Sequence, residues 1–519
     1  MKSNITNLSI ILNSLNKLII CSIFFLIPIQ TIAQKDILEL LPGSEILEYN
    51  EANGFHRLIG NVNFIYQNNL MYCDSAHYFE KNQIVRAYGK VHINKNDTLN
   101  FYCDSLFFDG KKGKSILWGN VRVIDNEYKL LTDTLKYDSK KTNAYYQNGG
   151  KVINTVTKET LTSKIGYFHP KSKNFFFSYN VLYKGKNSTI QTDTLQYIYN
   201  EKKAIFLGKT DIQNKNTKMY CESGWYKTNS EEGSLIKNAY ISRQEEYISG
   251  DTLIYDSKKG ISIGKGNIYY TDLTQKLEFN GEYAYTSDSL NYSFITGNAI
   301  ATKIMKDDTL YLHADTLIKS SLDSINIIKA YKNSKVFSTK VQCVADSIVY
   351  KSNSMKLYDN PIVWSYGAEL KGDFIEISIN DSIIDSINIQ NNSSILMEIE
   401  PNLYYNQISG KNIIAYFKEN KLYKTYVKGN AITLFYPEEE IRSDSTLTKK
   451  RIGMNRLYSS NLRIDIKNNK IKGINYIQSP DGVFYPIEKI KKEEKFIQNF
   501  VWKEALRPKT KEEILIEKN

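Results

Sequence analysis

A period close to 30 residues runs through most of this chain, and self-similarity at that spacing means a stacked architecture. One anchor of the period is a small residue, an acid, Ser or Thr, and an apolar residue. It reads Cys73-Asp74-Ser75-Ala76, Cys103-Asp104-Ser105-Leu106, Thr132-Asp133-Thr134-Leu135 and Thr192-Asp193-Thr194-Leu195. It returns at Cys221-Glu222-Ser223, Gly250-Asp251-Thr252-Leu253, Ala314-Asp315-Thr316-Leu317 and Ala345-Asp346-Ser347-Ile348, with degenerate copies at Ser163 and Gly281. From Asp74 to Asp346 the steps between residue numbers are 30, 29, 30, 30, 29, 29, 30, 34 and 31. An aromatic follows four residues later, at Tyr78, Phe108, Tyr137, Tyr167, Tyr197, Tyr226, Tyr255, Tyr285 and Tyr350; the copy at Asp315 has Lys319 there.

A second anchor lies about half a period away. Its copies are Gly60-Asn61-Val62, Gly89-Lys90-Val91, Gly119-Asn120-Val121, Gly208-Lys209-Thr210, Gly266-Asn267-Ile268, Gly297-Asn298-Ala299 and Gly429-Asn430-Ala431. Val91 and Ile93 alternate with Lys90 and His92, and Val121 and Val123 with Asn120 and Arg122. That is the period of a half-buried strand. Polar turns such as Asp138-Ser139-Lys140-Lys141 separate the strands. The composition agrees: 39 Tyr and 22 Phe favour strands, and only 9 Pro interrupt them. The expected fold is all-β, an elongated, solenoid-like stack of ~30-residue two-strand repeats. With rungs about 4.8 Å apart, Cys73 and Cys103 would stand near disulfide range; free buried thiols are the preferred reading.

Outside the repeat the chain changes character. Residues 1–33 read as a signal peptide: Lys2 and Lys17 flank the apolar run Leu18–Ile29, and Thr31-Ile32-Ala33 offers a cleavage site. Residues 34–350 are the regular repeat domain and 351–486 a divergent continuation, with a charged insertion at 437–456 that reads as an exposed loop. Residues 487–519 form a charged tail or cap with helical character, in which Phe496, Phe500 and Trp502 are available for docking.

The alternation of a Gly-Asn-Val strand with a strand of the type Leu-x-Ala/Cys/Thr-Asp-Ser/Thr-Leu-x-Tyr resembles the OstA-like family, the lipopolysaccharide-transport group that includes periplasmic LptA. The pattern covers residues 36–350 well and 350–486 loosely. The resemblance implies an open β-jellyroll, a twisted V-shaped stack whose apolar interior carries acyl chains and whose ends join head to tail. The partners it implies are lipopolysaccharide or a related anionic glycolipid, other jellyroll proteins of lipopolysaccharide transport by end-to-end strand pairing, and further copies of this chain. The place is the periplasm, in association with the outer membrane. The chain is longer than a minimal LptA, and its residues leave no room for the large barrel that follows such a domain in LptD.

Two sets of residues are candidates for function. Val62, Phe64, Val91, Ile93, Leu106, Val121, Val123, Leu135, Tyr137, Leu195 and Leu253 would line the apolar interior. Asp74, Asp104, Asp133, Asp193, Glu222, Asp251, Asp315 and Asp346 form an acid column. A catalytic or calcium-binding reading needs a few unusual acids, whereas this column recurs in nearly every repeat. The structural reading is therefore preferred: each acid accepts main-chain hydrogens at a bend. The five His are scattered without metal-ligand spacing, so no metal, no cofactor and no enzymatic activity are expected. The net charge of +12 fits an anionic lipid partner, and export disfavours nucleic acid. The alternative to transport is a structural or adhesive rod with a closed, dry core and no ligand.

Overall fold

The computed structural model describes residues 37–516 except 96–97, 170–173, 215, 257, 323–324, 352, 381–382, 420, 444–445 and 468–469. The segment read as a signal peptide lies outside the described residues. No helix among them is long and apolar enough to cross a membrane. The remainder is almost wholly β, in two compact units that divide at Thr157/Lys158, with His169 returning to the first unit.

In the first unit, Phe55–Tyr66, Asn69–Phe79, Ile84–Lys95, Leu99–Asp109, Lys114–Ile124 and Tyr128–Asp138 form an antiparallel meander, each strand pairing with the next. Short strands close both of its ends. Glu39–Leu41 and Ile46–Asn50 pair with the two halves of Phe55–Tyr66, and Asn143–Tyr146 and Gly150–Asn154 with the two halves of Tyr128–Asp138. The second unit repeats the plan from Asn174–Lys184 through Val341–Lys351, and again from Ile383–Glu400 to Gly453–Lys467. Lys470–Ile477 and Asp481–Pro486 cover the two halves of that last long strand.

Turn chemistry sets the meander. Gln67 and Asn68 both take positive φ, the requirement of a tight two-residue hairpin. The Asp-Ser-Lys-Lys turn is held by Asp138 Oδ1, which accepts from the main-chain N–H of Lys140 (3.1 Å) and Lys141 (2.9 Å). A repeat is thus two full strands, and neighbouring repeats stand about 9.6 Å apart at ~4.8 Å per strand. Ile84–Lys95 lies between Cys73 and Cys103, which removes the short spacing expected between them. Cys73, Cys103, Cys221 and Cys343 are all free and buried.

Each long strand is broken near its middle. The register shifts at Ile59/Val62, Tyr72/Ser75, Tyr88/Val91, Tyr102/Ser105 and Trp118/Val121, so every strand bends there and the sheet folds lengthwise. In the first unit the two halves face each other across an apolar interior. Phe64 meets Tyr78 at 5.3 Å between ring centroids, Tyr66 meets Phe108 at 4.9 Å, and Phe101 meets Tyr137 at 5.3 Å, each pair taking one ring from either half.

Two expectations are corrected here. The insertion 437–456 is a β-hairpin, Glu438–Ser443 against Thr446–Arg451, rather than a loop. The described residues of the tail, 487–516, carry no α-helix; they follow an extended path with single 3-10 turns at Ile487–Lys489, Lys492–Lys495, Glu504–Leu506 and Glu512–Leu515.

Candidate functional site

Function can reside on three surfaces of the folded sheet: the seam along its bend, the interior, and the outer face. At the seam, an acid on one strand meets the glycine fifteen positions later on the next. A Cβ on Gly89 would lie 2.5 Å from Asp74 Oδ2, one on Gly119 2.6 Å from Asp104 Oδ2, and one on Gly266 2.2 Å from Asp251 Oδ2. These glycines take φ of +74°, +78° and +71°, and the residues after them, Lys90, Asn120 and Asn267, are left-handed too. Close approach and positive φ together demand glycine. The asparagine then turns its amide onto the acid. Asn120 Nδ2 donates to Asp104 Oδ2 at 2.7 Å, Asn267 Nδ2 to Asp251 Oδ2 at 3.1 Å, Asn238 Nδ2 to Glu222 Oε1 at 2.8 Å, and Asn333 Nδ2 to Asp315 Oδ1 at 3.2 Å.

This differs from the expected main-chain donors, since the partner shown at these acids is a side chain on the neighbouring strand. The acids are exposed, with Glu222 half-buried. Hydrogen bonds from Lys237 and Asn238 hold the Glu222 carboxyl below its usual range. Asp133 and Asp346 accept from the adjacent hydroxyls of Thr134 (3.0 Å) and Ser347 (2.7 Å), while Asp74 and Asp193 stand against Gly89 and Gly208.

Sequence reasoning missed four copies of the bend: Tyr179-Asn180, Lys237-Asn238, Lys332-Asn333 and Asn391-Asn392 are left-handed pairs without glycine. An asparagine followed by Val181, Ala239, Ser334 or Ser393 was the available signal. It also misplaced two degenerate acids by one residue. A Cβ on Gly297 would strike Glu282 Cβ at 2.7 Å, so Glu282 rather than Gly281 occupies the acid position, and Lys164 N donates to Tyr179 O where an acid would stand. Consequently Tyr167 is 41% exposed, and Tyr285 stacks on Phe294 at 5.7 Å instead of entering the interior.

Of the candidate lining residues, Val62, Phe64, Val91, Leu106, Val121 and Leu135 are buried in the first unit, as are Leu195 and Leu253 in the second. Ile93, Val123 and Tyr137 are half-buried. Phe64, Ile93 and Tyr137 share a small cavity of ≈ 40 Å³, partly open to solvent, with Leu38, Tyr66, Asn69, Met71, Lys95, Phe101, Phe108, Ser115, Leu117 and Ser139. Both halves of the sheet contribute to its wall.

The outer face of the second unit is covered by the tail. Leu396, Leu434, Tyr436 and Met454 form a buried cluster with Ile497, and Phe500 and Trp502 pack against it. Buried polar side chains mark the path. Gln407 accepts from Ile497 N (2.9 Å) and donates to Lys495 O (2.7 Å); Glu369 Oε2 accepts from Lys503 N (2.9 Å) and Trp364 Nε1 (3.1 Å); Gln342 Oε1 accepts from Arg507 Nε (2.8 Å). Spaced side chains thus hold the tail's main chain, which explains why it needs no helical ladder of its own.

Burial pushes the thiols of Cys73, Cys103 and Cys343 up to about 12 and that of Cys221 to about 11, so they remain protonated and inert. Among the described residues no group of three or more His, Cys, Asp or Glu side chains is placed to hold a metal ion.

Residues 38–193 match the family described as OstA-like protein. No curated protein matches the chain. Among solved structures, LptH of Pseudomonas aeruginosa, described as the LptA-homologous periplasmic component of the conserved lipopolysaccharide transport device, is 15% identical. That match covers 31% of this chain and 92% of LptH, with a TM-score of 0.15.

Proposed function

We propose that this chain, whose residues 38–193 match the family described as OstA-like protein, is a periplasmic carrier of lipopolysaccharide or a related anionic glycolipid, acting in outer-membrane assembly. The observation that carries the reading is the sheet folded on itself around an apolar interior, with a cavity between its halves. Burying acyl methylenes there is favourable by about 0.8 kcal/mol each. The protein's part is to shield chains from water, and no bond is made or broken.

The terminal strands support end-to-end pairing with other jellyroll proteins of the same transport system, or with further copies of this chain. Among the described residues, Ile46–Asn50 pairs on one side only and exposes Ile46, Leu47 and Tyr49; Asp481–Pro486 does likewise with Val483 and Phe484. Unpaired edges of this kind invite strand addition.

A photo-crosslinking residue at Tyr137, which lines the cavity, tests the reading against a control at the neighbouring Lys136. Mass spectrometry of protein from a Gram-negative host should find lipid attached at position 137 and none at 136. Absence of lipid at 137 would leave the structural rod, a reading favoured by the complete burial of Leu106 and Leu135.

A further inference from the structure

We infer that the outer face of the second unit is a peptide-docking track and that residues 487–516 are its exchangeable occupant, so that the tail of one copy of this chain seats on the track of a second copy. The exchange is independent of what the interior carries; it rests on the pairing of copies proposed above for the terminal edge.

The track is one cross-strand row. Gln342, Glu369, Gln407 and Arg456 lie along it, separated by Trp364, Leu396 and Leu434, each residue opposite the next. A polar side chain therefore recurs at every second strand, about 9.6 Å apart. All four bond the tail. Arg456 Nη1 donates to Glu494 O at 3.0 Å and to the Glu494 carboxylate at 2.6 Å, while Gln407, Glu369 and Gln342 hold points from Lys495 to Arg507. Glu494 O, Lys495 O, Ile497 N and Lys503 N are main-chain atoms, which any extended peptide carries. Selection falls to the pocket around Ile497 and to Tyr405, whose ring lies 5.0 Å from that of Phe500 and 5.4 Å from that of Trp502. The track thus fits an extended segment with an acid three residues before an aliphatic anchor and aromatics three and five residues after it. Glu494, Ile497, Phe500 and Trp502 meet that description, and a second copy of this chain supplies the same segment.

Two features make the contact separable. The strands beneath the tail are paired on both sides without it, so the track stands when the tail leaves. The row also grips the tail through polar groups that water can satisfy. A permanent cover needs only apolar contact, whereas sinking a carboxylate such as Glu369 costs desolvation. Exchange keeps every contact and changes only which chain supplies the tail. The tail leaves the sheet at Pro486, the end of Asp481–Pro486, whose other edge is unpaired among the described residues. Copies that meet at that edge bring both tails to one place.

The test uses two preparations of the full chain. One has natural isotopes and a benzophenone amino acid in place of Phe500; the other is uniformly nitrogen-15 labelled and carries no crosslinker. The two are mixed in equal amounts, irradiated and digested for mass spectrometry. Position 500 should attach to the Tyr405 peptide in both isotopic forms, with the labelled share rising as protein concentration rises. Trp502→Ala in the labelled copy loosens that copy's own tail and should raise the labelled share at least about twofold. Gln407→Ala in the labelled copy should lower it. Crosslinks confined to natural-isotope Tyr405 peptides at every concentration overturn the proposal, whether or not Gln407→Ala folds; so does a labelled share that a folded Gln407→Ala leaves unchanged. If light scattering finds paired copies without mixed-isotope crosslinks, the edge pairing stands and the exchange falls. If neither pairing nor mixed crosslinks are found, both fall.

Discussion

Asp104 Oδ2 lies 2.7 Å from Asn120 Nδ2, and a Cβ added to the glycine just before that asparagine would lie 2.6 Å from the same oxygen. The bend is therefore set by three residues acting together, with sterics dominating over the hydrogen bond. Gly119→Ala should cost about 1–3 kcal/mol, because a side chain is forced both into left-handed φ and into the carboxylate. Asp104→Ala removes only an exposed hydrogen bond and should cost about 1 kcal/mol or less. Chemical denaturation of the two variants checks the ordering; an Asp104→Ala cost larger than that of Gly119→Ala would refute it.

Leu135 is fully buried on the inner face, two residues after Asp133. Leu135→Ala should lose about 2–5 kcal/mol, the range for a large-to-small change in a packed interior. Lys136, whose ammonium rests 5.4 Å from the Tyr145 ring centre on the outer face, should tolerate Lys136→Ala with a change of about 1 kcal/mol or less. Thermal melting of both compares the two faces directly.

Alternation and the two anchors made the strands, the inward residues and the bend legible in the sequence, because each repeats in phase. The fifteen-residue spacing from Asp74 to Gly89 was also present, yet its cause was not: only coordinates reveal that a carboxylate occupies the space a Cβ would need. The tail was opaque for a different reason. Glu369, Gln342 and Gln407 sit at outward positions of their strands, where polar residues normally signal solvent, and nothing local announces that a distant segment covers them. Lys95 was hidden likewise, as a polar residue on the inward phase of its strand.

The tail should be separable from the fold but costly to lose. Replacing Glu369 by Ala leaves Lys371, 3.0 Å away, with only the Val501 carbonyl and no carboxylate, frees Lys503 N, and should cost about 3 kcal/mol. Limited proteolysis should then cut the tail between Lys491 and Lys511 faster than in the wild type. An unchanged cleavage rate with unchanged melting would show that the latch contributes nothing.

His313 is buried on the face that the end of the tail covers, with Nδ1 3.0 Å from Ala299 O. Burial lowers its pKa, and Lys335 lowers it further, against the opposing pull of the Ala299 carbonyl and, more weakly, Asp315. A base whose folded pKa is depressed binds fewer protons folded than unfolded. Its contribution to stability is thus intact above the unfolded value near 6.5 and declines as pH falls through that value. The melting temperature should drop from pH 7.5 to pH 5.5, and His313→Gln should flatten that part of the profile. An identical slope in both proteins would rule the histidine out as its source.

The buried thiols give the plainest chemical test. Folded protein at pH 8 should leave Cys73, Cys103, Cys221 and Cys343 unmodified by a disulfide reagent over hours, while denatured protein reacts at once. Rapid labelling of the folded state would contradict their burial.

Chain order gives the tail a timing role. Residues 487–516 are synthesised after all the strands they cover, and they reach back as far as Tyr311, over whose ring the Lys511 ammonium lies at 6.0 Å. Until they arrive, Leu396, Leu434 and Met454 face water on strands that are otherwise fully paired. The late strands of the second unit therefore pass through a sticky interval whose length is the time needed to make and deliver the final segment. Nascent protein held in that interval is the species a holding chaperone would recognise, and slowing delivery of the tail alone would lengthen the window for aggregation without altering a single contact of the finished fold.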